Sequence, residues 1–107
     1  MTDPNYYVFK SSFLQDFCTQ VFQHFGIPEK EAQTASGVLA KADIRGIDSH
    51  GVARLRSYVE MFTIGRFNPT PNIRIVRDKK SVATVDGDSG LGLVVGPKAN
   101  EIAMDKA

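Results

Sequence analysis

The chain has 107 residues, which is the size of one domain or of part of one. Its formal net charge is +1 and 42% of its residues are apolar, as in ordinary globular proteins and unlike disordered chains. The near-neutral charge also disfavours a general binder of nucleic acids or membrane surfaces, because such proteins carry a basic excess. Cys18 is the one cysteine, which excludes an intrachain disulfide and a metal site built from several cysteines.

The two ends of the chain bear on location and completeness. Residues 1–9 lack the basic segment and apolar core of a signal peptide, and no apolar run approaches the roughly 18 residues that span a bilayer. We therefore expect a cytoplasmic protein with no membrane partner. The final segment, KANEIAMDKA, has the composition of a helix that continues without a stop signal. We expect the chain to be part of a longer protein.

The first predicted elements are a short strand and a helix. Residues 6–9, YYVF, are β-prone and could form an edge strand. From Phe13 to Phe25, apolar residues recur at the spacing of an amphipathic helix. Ser12 and Gln15 fit a capping box at its start, and Gly26 is placed to end it in the left-handed conformation.

A second helix is predicted to open at Pro28 and to end at Gly46. Its apolar stripe consists mainly of alanine, and Ser36, Gly37 and Ala40 lie beside that stripe. Because these side chains are small, another helix could approach this face closely.

The remainder predicts a third helix, a hairpin and a turn that leads into a last helix. The third helix covers residues 51–63, and the glycine and prolines of segment 65–71 end it. Strand candidates at 73–77 and 81–86 would pair as a hairpin. The glycine-rich turn DGDSGLG, residues 86–92, then opens the last helix. This order gives an α/β chain with amino-terminal helices, a β-hairpin and a strand-turn-helix unit.

His50 is the main candidate for chemistry. Asp48 or Ser49 is placed to cap the third helix, so the imidazole of His50 would lie in its first turn. The helix dipole and partial burial would both disfavour an imidazolium there, and a neutral ring can exchange a proton with a ligand. Arg54 and Tyr58 would follow on the same helical face, and a guanidinium can hold a carboxylate through two hydrogen bonds. A solvated surface histidine beside an exposed arginine is the alternative interpretation.

The glycine-rich turn resembles a phosphate cradle only in part. Gly87, Gly90 and Gly92 follow a strand and precede a helix, but G-x-x-G-x-G matches neither common phosphate-binding spacing. We therefore predict a tight turn that needs glycine dihedrals and assign no cofactor-binding residue. Asp86 and Asp88 lack the further ligands that a metal site requires, so no metal site is predicted.

Several motifs occur in an order that resembles a known family. ADIRGIDSHG, the arginine and tyrosine after it, DGDSGLG and GPKA together resemble the amino-terminal portion of the type 2 malate/L-lactate dehydrogenase family. That family also includes ureidoglycolate, sulfolactate and diketogulonate enzymes. The resemblance implies a larger non-Rossmann, nicotinamide-dependent dehydrogenase fold, with residues 1–71 as a helical region and residues 72–107 as the start of the α/β core.

The resemblance also implies an activity and roles for three residues. The enzyme would transfer a hydride between NAD or NADP and a small 2-hydroxy or 2-oxo acid, as a homodimer or larger homo-oligomer. His50 would be the catalytic proton donor or acceptor, and Ser49 and Arg54 would bind substrate. Because the family is much longer than this chain, the fragment alone would be inactive.

Two other functions compete with this interpretation. The chain could be a stand-alone helical binding or dimerisation module that docks through the smooth face of the second helix. Nucleic-acid binding through Arg45, Arg54, Arg56 and Arg66 is a weaker possibility, because the overall charge gives it no support.

Overall fold

A computed structural model of the chain describes residues 5–107. It contains four α-helices, two short 3₁₀ turns and one antiparallel pair of strands. In chain order these are α1 (Ser11–His24), α2 (Glu29–Ile44), the 3₁₀ turns Asp48–His50 and Val52–Arg54, α3 (Leu55–Thr63), β1 (Arg74–Asp78), β2 (Ala83–Asp86) and α4 (Gly92–Lys106). The predicted order of helices, hairpin and final helix is confirmed. No helix within residues 5–107 is long and apolar enough to cross a membrane.

The core lies mainly between α1 and α2. Side chains from both helices are buried there together with residues from later segments, namely Cys18, Phe22, Ile27, Ala32, Ala35, Leu39, Leu55 and Leu91. The small-residue face of α2 is part of this interface, because Ser36 is fully buried. The hydroxyl of Thr19 donates to Ser36 Oγ over 2.9 Å, and Ser36 Oγ donates to the carbonyl of Ala32 over 2.7 Å. The close helix approach predicted from the small residues therefore occurs within the chain.

The termini of these helices match the sequence in part. Gly26 and Gly46 adopt φ values of 96° and 76°, so both glycines end their helices in the left-handed region as predicted. The predicted capping box is wrong, because Lys10 is the cap of α1 and no side chain caps that end. The amide nitrogen of Gln15 instead lies near Gly37 on α2, which turns the Gln15 side chain away from the helix start.

The predicted strand at residues 6–9 is absent from the described structure. These residues have no secondary structure, and the one sheet described consists of β1 and β2. All four side chains are exposed, from 54% for Phe9 to 86% for Tyr7. The ring of Phe9 stacks on that of Phe13, with centroids 5.9 Å apart. High β propensity alone did not produce a strand, because a strand needs a pairing partner and residues 6–9 pair with neither β1 nor β2.

The hairpin prediction is confirmed, with β1 one residue later than predicted and β2 starting two residues later. Arg74 pairs with Asp86 and Asp78 with Ala83, and the register shifts between Ile75 and Arg77. The ammonium of Lys106 contacts the carboxylate of Asp78 and donates to the carbonyl of Lys79 over 2.7 Å. These contacts fix the end of α4 to the hairpin.

The turn between β2 and α4 forms for a different reason than predicted. Its left-handed residues are Asp88 and Ser89, with φ values of 52° and 57°, rather than glycines. The Asp88 carboxylate accepts a hydrogen bond from the Asn72 amide over 2.8 Å, which stabilises this backbone. Gly90 is required by packing instead, because a Cβ there would lie 2.7 Å from Pro71 Cγ.

Candidate active site

His50 lies in a 3₁₀ turn and not at the start of an α-helix. Its turn, Asp48–His50, is followed by Gly51 and a second turn, Val52–Arg54, and α3 begins only at Leu55. The imidazole is exposed. The expectation that a helix dipole and burial act on this ring is therefore wrong, because neither condition holds in the described structure.

The predicted cap at Asp48 or Ser49 is also wrong, and the capping group comes from another helix. Neither side chain caps a turn, whereas the amide of Val52 donates to Oδ2 of Asp43 over 2.9 Å. Asp43 lies in the last turn of α2, nine residues before Val52. The sequence does not point to Asp43, because an N-cap residue normally lies immediately before the helix that it serves.

Ser49 and His50 form a hydrogen-bonded pair. Ser49 Oγ lies 2.8 Å from Nδ1 of the imidazole, and both residues are exposed. When the hydroxyl donates, Nδ1 accepts and Nε2 carries the proton. When Nδ1 donates, Nε2 is free to accept. The same contact therefore holds the ring in place for proton transfer in either direction.

Arg54 joins this pair through the backbone. Its Nε donates to the carbonyl oxygen of Ser49 over 2.8 Å. Within residues 5–107, neither Nη atom of Arg54 has a hydrogen-bond partner. Ser49, His50 and Arg54 thus lie on two consecutive 3₁₀ turns, and the imidazole and the two parallel guanidinium donors are open to solvent.

Tyr58 does not share this arrangement, although its spacing suggested that it would. It is half-buried, and its ring packs 6.4 Å from that of Phe22 and 6.3 Å from that of Phe67. This places Tyr58 in the core packing of α3, because the shift from 3₁₀ to α geometry changes which side chains share a face.

Two of the three glycines in the turn before α4 are packed against this chain. A Cβ at Gly87 or Gly90 would meet Val95 Cγ atoms at 3.0 and 2.9 Å respectively, whereas nothing lies within 4 Å of a Cβ at Gly92. The close packing at Gly87 and Gly90 is that of a tight strand-to-helix turn. In the part of the chain that the structure describes, no three His, Cys, Asp or Glu side chains gather as metal ligands.

Cys18 is influenced by the charge of Asp43 but is a core residue. It is fully buried, and burial raises the pKa of its thiol to about 11, with a further contribution from the charge of Asp43. The thiol is therefore neutral at physiological pH and is not a nucleophile.

Comparison with known proteins gives one consistent result. Residues 9–107 match the family described as malate/L-lactate dehydrogenase. The chain is 44% identical over 87 residues to an L-sulfolactate dehydrogenase of Methanocaldococcus jannaschii, covering 81% of this chain and 25% of that protein. It is 41% identical over 105 residues to a malate dehydrogenase of Pyrococcus horikoshii, covering 98% of this chain and 29% of that protein.

A solved structure agrees with these sequence matches. The malate dehydrogenase of Pyrococcus horikoshii superimposes with a TM-score of 0.94 at 40% identity, over 100% of this chain and 31% of that one. The chain thus spans less than a third of the length of these relatives. With the family match over almost all of its residues, the chain belongs to the malate/L-lactate dehydrogenase family.

Proposed function

We propose that the full-length protein containing this chain is an oxidoreductase that moves a hydride between NAD or NADP and a small 2-hydroxy or 2-oxo acid. Here full-length protein means the product of the complete reading frame. The observation that carries this proposal is the hydrogen-bonded series from His50 through Ser49 to Arg54 on two consecutive exposed turns. Family membership supports the same reaction class.

Arg54 is proposed to bind the substrate carboxylate. Its Nε is occupied by the carbonyl of Ser49, so the two Nη atoms are the donors that remain. Two parallel N–H groups match the two oxygens of a carboxylate, and such charged pairs are among the stronger hydrogen bonds in proteins. The carboxylate would thereby be fixed relative to the turn that carries His50.

His50 is proposed to handle the proton at the substrate oxygen. In the oxidation direction, Nε2 of the neutral ring accepts the hydroxyl proton and becomes part of an imidazolium. In the reduction direction, the imidazolium returns that proton to the carbonyl oxygen. Ser49 holds Nδ1 and so keeps Nε2 aimed outward. The nicotinamide cofactor, when bound, supplies the hydride chemistry.

Several finer points belong to the same proposal. Malate and sulfolactate, the compounds named for the two relatives above, are both 2-hydroxy acids and therefore support that substrate class. We also propose a cytoplasmic location, with which the free thiol of Cys18 is compatible. We also propose that residues 72–107 begin the α/β core of the full-length enzyme after a helical region at 1–71, and that the enzyme is a homodimer or larger homo-oligomer.

A stand-alone docking module receives less support from the structure. That alternative needs the small-residue face of α2 to be free for a partner. Ser36 and Ala40 on that face are buried, and Thr19 of α1 bonds to Ser36. The face is therefore occupied by α1 within the chain.

A substrate panel tests the proposed function. The full-length protein is assayed with malate, lactate, sulfolactate and ureidoglycolate, with NAD and with NADP, by the absorbance of the reduced nicotinamide. We expect turnover of at least one acid and none of 2-butanol, which has the hydroxyl but no carboxylate. A folded protein that turns over no 2-hydroxy acid with either cofactor would contradict the proposal.

A further inference from the structure

We propose that Asp43 is a positioning residue. It holds the turn Asp48–His50 and the following Gly51 in place for proton transfer. The inference rests on the proposed function, because it assigns a catalytic purpose to that turn. It adds a residue on α2 to a site whose other members lie on the following turns.

The contact between Asp43 and the turn is unusually close. Oδ2 accepts the amide hydrogen of Val52 over 2.9 Å. A Cβ built on Gly51 would lie 1.9 Å from Oδ1 and 2.2 Å from Cγ of the same carboxylate. The carboxylate therefore occupies the space that a side chain at position 51 would need. Gly51 is buried and Asp43 is half-buried, so this contact lies largely away from solvent.

The other bonds of the two turns are short-range, and apart from Ser49 Oγ–His50 Nδ1 and Arg54 Nε–Ser49 O they are made by the backbone. The amide of His50 donates to the carbonyl of Ile47 over 3.0 Å, and that of Arg54 to Gly51 over 3.0 Å. In residues 5–107, Asp43 supplies the one side-chain hydrogen bond between α2 and the two 3₁₀ turns. The buried face of α2 anchors this helix in the core. Because Asp43 bonds the turns to α2, it restricts the motion of the exposed pair of Ser49 and His50.

Two variants separate the hydrogen bond from the charge. Asp43→Ala removes the acceptor, and we expect turnover of the full-length enzyme to fall about 10- to 100-fold, as for the loss of a bond to a charged group. Asp43→Asn keeps a carbonyl acceptor for Val52 and should recover most of that loss. Asp16→Ala, an exposed carboxylate on α1, serves as the matched control and should keep wild-type turnover.

A double-variant cycle tests whether the effect is local. Gly51→Ala alone places a methyl group against the carboxylate and should slow turnover. In the Asp43→Ala/Gly51→Ala protein that clash is absent, so the loss should be no larger than for Asp43→Ala alone. Losses that multiply would show that the two residues act independently, and they would overturn the inference.

Hydrogen–deuterium exchange gives a readout that does not depend on activity. In Asp43→Ala, peptides covering residues 47–54 should exchange faster while those of α1 and α2 keep wild-type protection. Unchanged exchange at 47–54, or faster exchange throughout α1 and α2, would overturn the positioning role. A wild-type protein without turnover would overturn the proposed function instead, and the exchange pattern would still decide where Asp43 acts.

Discussion

The Nε atom of Arg54 donates a hydrogen bond to the carbonyl oxygen of Ser49 across 2.8 Å. This contact fixes the guanidinium on the turn that carries His50 and leaves its two Nη atoms as a pair of parallel donors. A substrate carboxylate bound there would have a defined distance from the imidazole. We therefore expect substrate binding to depend on the geometry of the guanidinium and not only on its charge.

Replacing Arg54 with lysine tests the importance of that geometry. Arg54→Lys keeps the positive charge but loses the planar pair of donors and the bond to Ser49. We expect KM for the 2-hydroxy acid to rise about 10- to 100-fold, which corresponds to the loss of about 1.5–3 kcal/mol from charged hydrogen bonds. Steady-state kinetics of the full-length enzyme measure this change.

Arg56→Lys is the matched control for that experiment. Arg56 is 89% exposed and its nearest ionic partner is Glu60, at 3.4 Å on the surface of α3. Such exposed ion pairs contribute little to stability. The substitution should therefore leave the fold intact and KM at the wild-type value. An equal rise in KM for the two substitutions would show that positive charge in general, and not the two parallel Nη donors of Arg54, binds the acid.

The raised pKa of Cys18 predicts slow alkylation in the folded protein. A pKa of about 11 against the ordinary 9.0 lowers the thiolate fraction at pH 8 about 100-fold. Reaction of Cys18 with iodoacetamide, followed on its own peptide by mass spectrometry, should be slower by at least that factor than in the unfolded chain. Equal rates in the folded and unfolded protein would contradict the burial of Cys18.

The same pKa shift has a consequence for stability. Because the folded state holds the thiol proton more tightly, Cys18 contributes stability that is complete below about pH 9. That contribution is lost as the pH rises toward 11. Relative to Cys18→Ala, the free energy of unfolding of the wild type should therefore fall across this window.

A pair of glycine substitutions tests the packing of the turn before α4. Gly90→Ala directs a methyl group to 2.7 Å from Pro71 Cγ and 3.0 Å from the carbonyl oxygen of Gly87. We expect it to destabilise the full-length protein by about 1–3 kcal/mol, the usual cost of overpacking. Urea unfolding measures the change.

Gly96, on α4, supplies the control. A Cβ at this position of α4 would have no atom within 4 Å, so alanine should be neutral or stabilise by up to about 1 kcal/mol. If Gly90→Ala were as stable as Gly96→Ala, the close contact with Pro71 would be absent.

Local signals in the sequence were sufficient for most of the fold. Apolar periodicity predicted the helices. Gly26 and Gly46 predicted the ends of α1 and α2, because the left-handed backbone at a helix terminus favours glycine. The hairpin followed from two β-prone runs around a polar turn. The prediction of a strand at residues 6–9 was wrong because a strand requires a pairing partner, which a local sequence pattern cannot reveal.

The site was predicted less completely, because tertiary contacts determine it. The sequence located Ser49, His50 and Arg54 on one segment but assigned that segment to an α-helix. The two 3₁₀ turns form where Asp43, from the preceding helix, bonds to the Val52 amide. The role of Asp43 could not be predicted, because it caps a turn nine residues away and not the adjacent one. The exposure of His50 and Arg54 agrees with the alternative interpretation of the sequence, a solvated histidine beside an exposed arginine.

The turnover of a His50→Gln enzyme tests the central claim most directly. Glutamine is polar and of similar length but does not titrate, so it cannot carry the proton that accompanies hydride transfer. In the full-length protein, kcat should fall about 100-fold or more with the best 2-hydroxy acid, whereas His24→Gln should leave it unchanged. A His50→Gln enzyme that turns over at the wild-type rate would show that another group handles the proton.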